Sequence, residues 1–159
     1  MDEVPLRESG YDMVLLIATI EHVDDPPALL ERVRQLLKPG GRVLIVTDNT
    51  ASFDFPLFKG RHWEGYHFPR HWCLFNPDNL RLLARKCGFQ VHSLDTLVSP
   101  VNWVYSVRNL LVDFNSPPWL VEQFSLKSTL SLGAFTVLDN LFCAAGRGAL
   151  LRAQLRKPL

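Results

Sequence analysis

Apolar residues run almost without interruption through DMVLLIATI, residues 12–20, a stretch too short for a solitary helix and rich in aliphatic side chains. Bounded by Gly10 on one side and by Glu21-His22 on the other, it predicts a fully buried strand of a parallel sheet. The period then changes. Asp24-Asp25-Pro26-Pro27 supplies a cap and a first-turn proline, and Leu29, Leu30, Val33, Leu36 and Leu37 follow at helical spacing as far as Lys38-Pro39-Gly40-Gly41. RVLIVT at residues 42–47 is a second apolar run, so strand, helix and strand define a right-handed parallel crossover. The expected class is α/β, part of a doubly wound sheet.

Residues 49–75 hold glycines, prolines, histidines and many aromatics without a sustained period, which predicts a long functional loop or lid. Regular patterning resumes at Asn76-Pro77-Asp78, which opens a helix carrying Leu80, Leu82, Leu83 and Ala84 and ending at Gly88. QVHSLDTLV, residues 90–98, reads as a third strand. Between residues 100 and 145 two apolar helices are expected as a helical insertion, one on Val101, Val104, Val107, Leu110 and Leu111, the other on Leu130, Ala134, Phe135, Leu138, Leu141 and Phe142. Asp139 and Asn140 break the second, and its apolar run falls short of the roughly 20 residues of a membrane span. Gly146-Arg147-Gly148 reads as a turn into a last strand at 149–157, and the chain as one domain, 1–159.

Lys and Arg number 17 against 16 Asp and Glu, so no overall field draws nucleic acid or an anionic membrane to the chain. Cys73, Cys87 and Cys143 are widely spaced and odd in number, which fits idle thiols in a reducing cytoplasm rather than a disulfide framework or a zinc site. The polar, acidic start MDEVPLRESG is unlike a signal peptide.

The succession YDMVLLIATIEHVDDPPALLERVRQLLKPGGRVLIVTDN is similar to the middle of the class I S-adenosylmethionine-dependent methyltransferases, in the branch of types 11, 12 and 23. Tyr11-Asp12 stands where that family opens its fourth strand, Glu21-His22-Val23 where it closes it, and Lys38-Pro39-Gly40-Gly41 before the fifth. HFPRHWCLFNPDNLRLLARKCGFQVHSL resembles the family's following loop, helix and sixth strand, and GRGALLRAQLRKP its closing strand. The resemblance implies a partial Rossmann-like sheet with its last strand inserted antiparallel between the second and third. It also implies a departure. The glycine-rich turn and the ribose-binding acid of the family have no counterpart here, and Val4-Pro5-Leu6 aligns just before the fourth strand, so the chain corresponds to the C-terminal half of the fold.

Ligands of such sheets sit beyond the carboxyl ends of the strands. The resemblance therefore puts Ala18, Thr19 and Glu21 against the cofactor's methionine end, with His22 as the candidate general base for a hydroxyl acceptor. His62, Trp63, Tyr66, His67, Arg70 and His71, with Phe68 and Trp72 among them, are candidates to line an acceptor pocket. Arg70 is also placed to pair with Asp48 or Asp54, and Trp103, Tyr105 and Trp119 to anchor a core or an interface. No metal is expected: Pro69 breaks the helix that would align His67 with His71, and no carboxylate or cysteine stands at ligand spacing along the chain. The expected function is the C-terminal part of a methyltransferase acting on a small-molecule acceptor. S-adenosylmethionine is then the cofactor of the complete protein and is not held by this chain alone. The alternative is a non-catalytic, dimeric interaction module. An apolar first strand without its neighbours predicts a homodimer or a missing N-terminal half as partner.

Overall fold

The computed structural model describes residues 6–67 and 69–159. Val4-Pro5, part of the resemblance, and Phe68, part of the aromatic loop, lie outside the described residues. In chain order the elements are β1 (Tyr11–Ile17), α1 (Pro26–Leu36), β2 (Leu37–Asp48), α2 (Asp54–Phe58), α3 (Pro77–Lys86), β3 (Gln90–Leu97), α4 (Pro100–Asp113), α5 (Pro118–Glu122), α6 (Thr129–Ala144) and β4 (Leu150–Arg156).

Helix α1 starts where Asp25 accepts the Ala28 N–H at 2.9 Å and Pro26 provides the fixed φ of the first helical position. It stops earlier than its apolar spacing predicts. Leu37 turns to extended backbone and pairs with Tyr11, and the Lys38-Pro39-Gly40-Gly41 segment forms an irregularity before the register resumes at Met13 and Arg42. Proline disfavours helical backbone at the residue before it, so the helix cannot run through Lys38. The carbonyls of Arg34 and Leu37 at this helix end accept from Lys157 Nζ, each at 2.7 Å, which ties the C-terminal tail to α1. Helix α3 begins with a reciprocal cap: Asn76 accepts from the Asp78 and Asn79 N–H groups while the Asn79 side chain accepts from the Asn76 N–H. It ends before Gly88, whose φ of +75° turns the chain toward β3.

The sheet order is β1-β2-β4-β3. β1 and β2 are parallel, and β4 is inserted antiparallel to both β2 and β3, as the resemblance implies. Leu16, Val43, Ile45, Leu151, Ala153 and Leu155 of one sheet face meet Leu30 and Val33 of α1 and Leu80 and Ala84 of α3 in the main core. Each fully buried aliphatic side chain there contributes roughly 1.5–3 kcal/mol relative to exposure.

Two strand expectations are corrected. β1 ends at Ile17, because Ala18 takes a left-handed conformation (φ 47°) and residues Ile20–His22 form a single 3₁₀ turn. Nor is β1 fully buried: Met13, Leu15 and Ile17 are 49%, 55% and 55% exposed. They point to the sheet face opposite α1 and α3, and β1 is the edge strand.

The aromatic loop is more ordered than its lack of period predicts. It holds α2 and a single turn at Glu64–Tyr66, and its two ends are fastened by the Thr50 N–H donating to the Phe75 carbonyl at 2.8 Å. Phe58 and Trp63 form a second core with Trp103 of α4, backed by Phe135 and Phe142 of α6, whose rings stack on Trp103 at 5.7 Å. Asp139, the polar break in α6, is buried there and accepts from the Ser99 N–H and Trp103 Nε1 at 2.7 and 3.1 Å. Trp103 is thus a core anchor, whereas Trp119 is 67% exposed and Tyr105 half-buried. No helix among the described residues is long and apolar enough to cross a membrane.

Candidate functional site

The ends of β1 and β2, the turn after β1, the start of α4 and the aromatic loop enclose a cavity of about 370 Å³ at the carboxyl edge of the parallel strands. Ile17, Ala18, Glu21 and His22 line one side, Thr47 and Asp48 the floor, and Glu64, His67, His71 and Asn102 the rest. Three of these are carboxylates and three are histidines, while no lysine or arginine is among the lining residues. The cavity therefore suits a ligand bearing positive charge better than an anionic one.

Glu21 is 2% exposed, and one of its oxygens accepts from Thr47 Oγ1 at 2.8 Å. Its backbone carbonyl accepts from the N–H groups of Trp72 and Cys73 at 2.8 and 3.2 Å, which binds the far end of the loop to the turn after β1. The His22 Nδ1 lies 3.1 Å from the Arg70 carbonyl, and the His71 Nδ1 lies 2.8 Å from the Gly65 carbonyl. A carbonyl only accepts, so both Nδ1 atoms carry protons and a neutral ring keeps its lone pair on Nε2. The two imidazoles meet edge to face, with centroids 4.6 Å apart.

Asp48 accepts from Asn102 Nδ2 at 2.6 Å and stands 3.5 Å from His71 Nδ1. Burial pushes its carboxyl above the ordinary carboxylate range, the Asn102 hydrogen bond and His71 opposing this and the nearby Glu21 adding to it. Burial likewise raises Glu64, against the hydrogen bond from Asn109. Ala18, left-handed although it has a side chain, sits where the wall turns from strand to site. Such backbone costs a non-glycine residue roughly 1–2 kcal/mol.

The structure divides the sequence candidates. Ala18, Glu21, His22, His67 and His71 line the cavity. Thr19 turns aside, its hydroxyl donating to the Ile17 carbonyl at 2.9 Å. His62 faces Asp113 at 3.1 Å on the other side of the loop, where Arg61 and His62 hold that carboxyl below its usual range. Trp63 is 1% exposed in the second core, its Nε1 donating to Asp54 at 2.7 Å, and Tyr66 packs edge to face on it. Arg70 pairs with neither Asp48 nor Asp54; its side chain is exposed and its carbonyl serves His22. Sequence reasoning missed Asp48, Glu64 and Asn102 as site residues. Asp48 was findable as the polar residue that ends β2, and Asn102 as a polar position shortly past the carboxyl end of β3. It also missed the grouping of Glu21 and His22 with His71. Their ligand atoms, one carboxylate oxygen and one nitrogen from each ring, lie within 4.8 Å of one another.

A strand edge, an acidic cavity and an antiparallel strand inserted beside the parallel ones define the chain's class: its fold is that of the class I S-adenosylmethionine-dependent methyltransferases. The chain belongs to the methyltransferase domain family of type 23, whose profile matches residues 2–94. It is 36% identical over 112 residues to a ubiquinone biosynthesis O-methyltransferase of Cereibacter sphaeroides, a match covering 65% of this chain and 45% of that protein. Among solved structures it resembles a SAM-dependent methyltransferase of Thermotoga maritima, with a TM-score of 0.57 and 22% identity, over 98% of this chain and 60% of that one. It also resembles a phosphoethanolamine N-methyltransferase of Haemonchus contortus in complex with S-adenosyl-L-methionine, with a TM-score of 0.54 and 18% identity, over 98% of this chain and 35% of that one. The chain thus spans about half the length of the curated relatives it matches.

Proposed function

We propose that this chain is the acceptor-binding, C-terminal part of an S-adenosylmethionine-dependent methyltransferase, and that its acceptor is a small molecule methylated on a hydroxyl oxygen. The observation that carries the reading is the cavity at the carboxyl edge of β1 and β2, where imidazoles and carboxylates converge. The oxygen acceptor is supported by the O-methyltransferase relatives. Residues 49–75 act in this reading as the lid that completes the pocket, and residues 100–145 as the helical insertion that backs it.

The chemistry of the lining fits one end of the cofactor. Ile17, Ala18 and Glu21 would form the wall on its methionine side, and the carboxylates suit its sulfonium charge. The cofactor, when bound, supplies an electrophilic methyl group. What this chain contributes is position and proton transfer. His22, oriented by the Arg70 carbonyl, offers a Nε2 lone pair to the acceptor's hydroxyl proton, while Asn102 and His67 bound the acceptor's space. The glycine-rich turn and the ribose-binding acid of the family would come from a segment outside this sequence, so the chain alone does not hold the cofactor.

A second reading, a non-catalytic module that dimerises, is favoured by one observation: the half-exposed Met13, Leu15 and Ile17 on an edge strand. The two are separated by a transfer assay. The chain is co-expressed with the product of the coding sequence immediately upstream of its own and supplied with methyl-labelled S-adenosylmethionine and a panel of phenols and alcohols. Label in an acceptor, lost in His22→Ala, supports the methyltransferase reading. Absence of label with every acceptor favours the module.

A further inference from the structure

We propose that the outward face of α6 pairs with the same face of a second copy of this chain. The surface is separate from the β1 edge and from the cavity, and the pairing does not depend on the methyl-transfer reading.

Helix α6 is apolar on all sides, the pattern of a helix that is buried all round. Its inner side is buried. Phe135, Leu138 and Phe142 pack on Phe58, Trp63 and Trp103 in the second core, and Asp139 is turned inward at 1% exposure. The opposite side is open. Leu130, Gly133, Ala134, Val137, Leu141 and Ala144 recur there at three- and four-residue spacing and form a straight stripe about 21 Å long. All six are exposed, Leu130 by 79% and Val137 and Leu141 by 66%.

Three observations select a second copy as the occupant. The first is charge. Asp139 is the one charged residue of α6, and it faces inward. A two-fold pair sets a face against itself, so any charge on the stripe would meet its own sign, and the stripe has none.

The second is a hollow. Gly133 stands in ordinary helix in the middle of the stripe, and a Cβ built there would meet no described atom within 4 Å. Neither the backbone nor the packing of the chain itself asks for glycine, which is unfavourable inside a helix. The missing side chain instead leaves room for Val137 of the second copy and lets the two helix axes approach to about 8–10 Å. A lipid surface has no use for such a hollow.

The third is area. The segment with Trp119 and Leu126, 67% and 52% exposed, is fastened to the start of α6 by the Ser131 hydroxyl donating to the Gln123 carbonyl. A tryptophan presents about 150–250 Å² and a leucine or valine about half of that. With the stripe, the patch comes to roughly 300–500 Å² of apolar surface per copy. Interfaces are about 60% apolar, so the pair would bury on the order of 1,000–1,600 Å², the lower range for specific association.

The test is sedimentation equilibrium on the purified chain carrying Leu15→Lys, which blunts the β1 edge, with circular dichroism confirming that each variant is folded. The expected result is a monomer–dimer equilibrium with a dissociation constant of roughly tens to hundreds of micromolar. Gly133→Leu, which fills the hollow at an open position and favours helix, and Val137→Glu should each weaken pairing at least about tenfold. Leu82→Glu, exposed on α3, should leave it unchanged. No self-association at millimolar chain, or pairing undiminished in Gly133→Leu, would overturn the proposal. So would flotation of the chain with phosphatidylcholine vesicles that strengthens in Gly133→Leu, since added apolar surface favours lipid and disfavours a close helix pair. The readout involves neither cofactor nor acceptor, so its failure leaves the methyl-transfer reading standing.

Discussion

Gly65 shows how closely single atoms of the loop are placed. A Cβ at that position would lie 2.3–2.6 Å from the ring of Trp63, which is itself 1% exposed and hydrogen-bonded to Asp54. The ring has no room to retreat, so Gly65→Ala should cost about 1–3 kcal/mol in urea unfolding, the usual range for overpacking. Asp54 is buried and accepts from Trp63 Nε1; burial raises its carboxyl above the ordinary value. A raised value means that its contribution to stability is complete below the unfolded value and is lost as pH rises through the folded one. Asp54→Asn keeps an acceptor for Trp63 and removes the charge, so the variant should match the wild type in acid and exceed it at neutral pH. Thermal melts across a pH series check this, and a variant less stable at neutral pH would contradict it. Glu21 and His22 were legible as cavity-lining residues because they follow an apolar run at a strand's carboxyl end. Trp63 and Tyr66 were not separable from His67 and His71 in the same way, since a loop without period carries no sign of which side chains turn inward.

At the scale of elements, legibility followed local chemistry. Helices α1 and α3 were readable because Asp25-Pro26 and Asn76-Pro77 announce their starts through hydrogen bonds confined to a few residues. The end of α1 was not, because Leu37 fits the apolar spacing of the helix equally well and is drawn into β2 by its pairing with Tyr11, a partner distant in sequence. The antiparallel insertion of β4 came from family resemblance, not from its own alternation. Asn76→Ala removes the acceptor for the Asp78 and Asn79 N–H groups. It should cost about 1 kcal/mol in chemical denaturation while leaving the cavity's residues untouched.

The whole molecule is one sheet with a covered face and an open one. α1 and α3 close the first over the main core, whereas Met13, Leu15 and Ile17 stay about half exposed on the second, on an unpaired edge. An apolar edge of this kind associates. Light scattering on the purified chain should show a dimer or a larger species at micromolar concentration, and Leu15→Lys should shift it toward monomer; a clean monomer for the unaltered chain would contradict the partner requirement. The cofactor belongs to the same scale: in the proposed reading this chain would offer it one wall, at Ile17, Ala18 and Glu21.

Calorimetric titration of S-adenosylmethionine, first into the chain alone and then into the chain co-purified with the product of the coding sequence immediately upstream of its own, tests the proposed division most directly. The account predicts no measurable binding at micromolar cofactor in the first case and micromolar binding in the second. Micromolar binding to the chain alone, or none to the reconstituted pair, would contradict it.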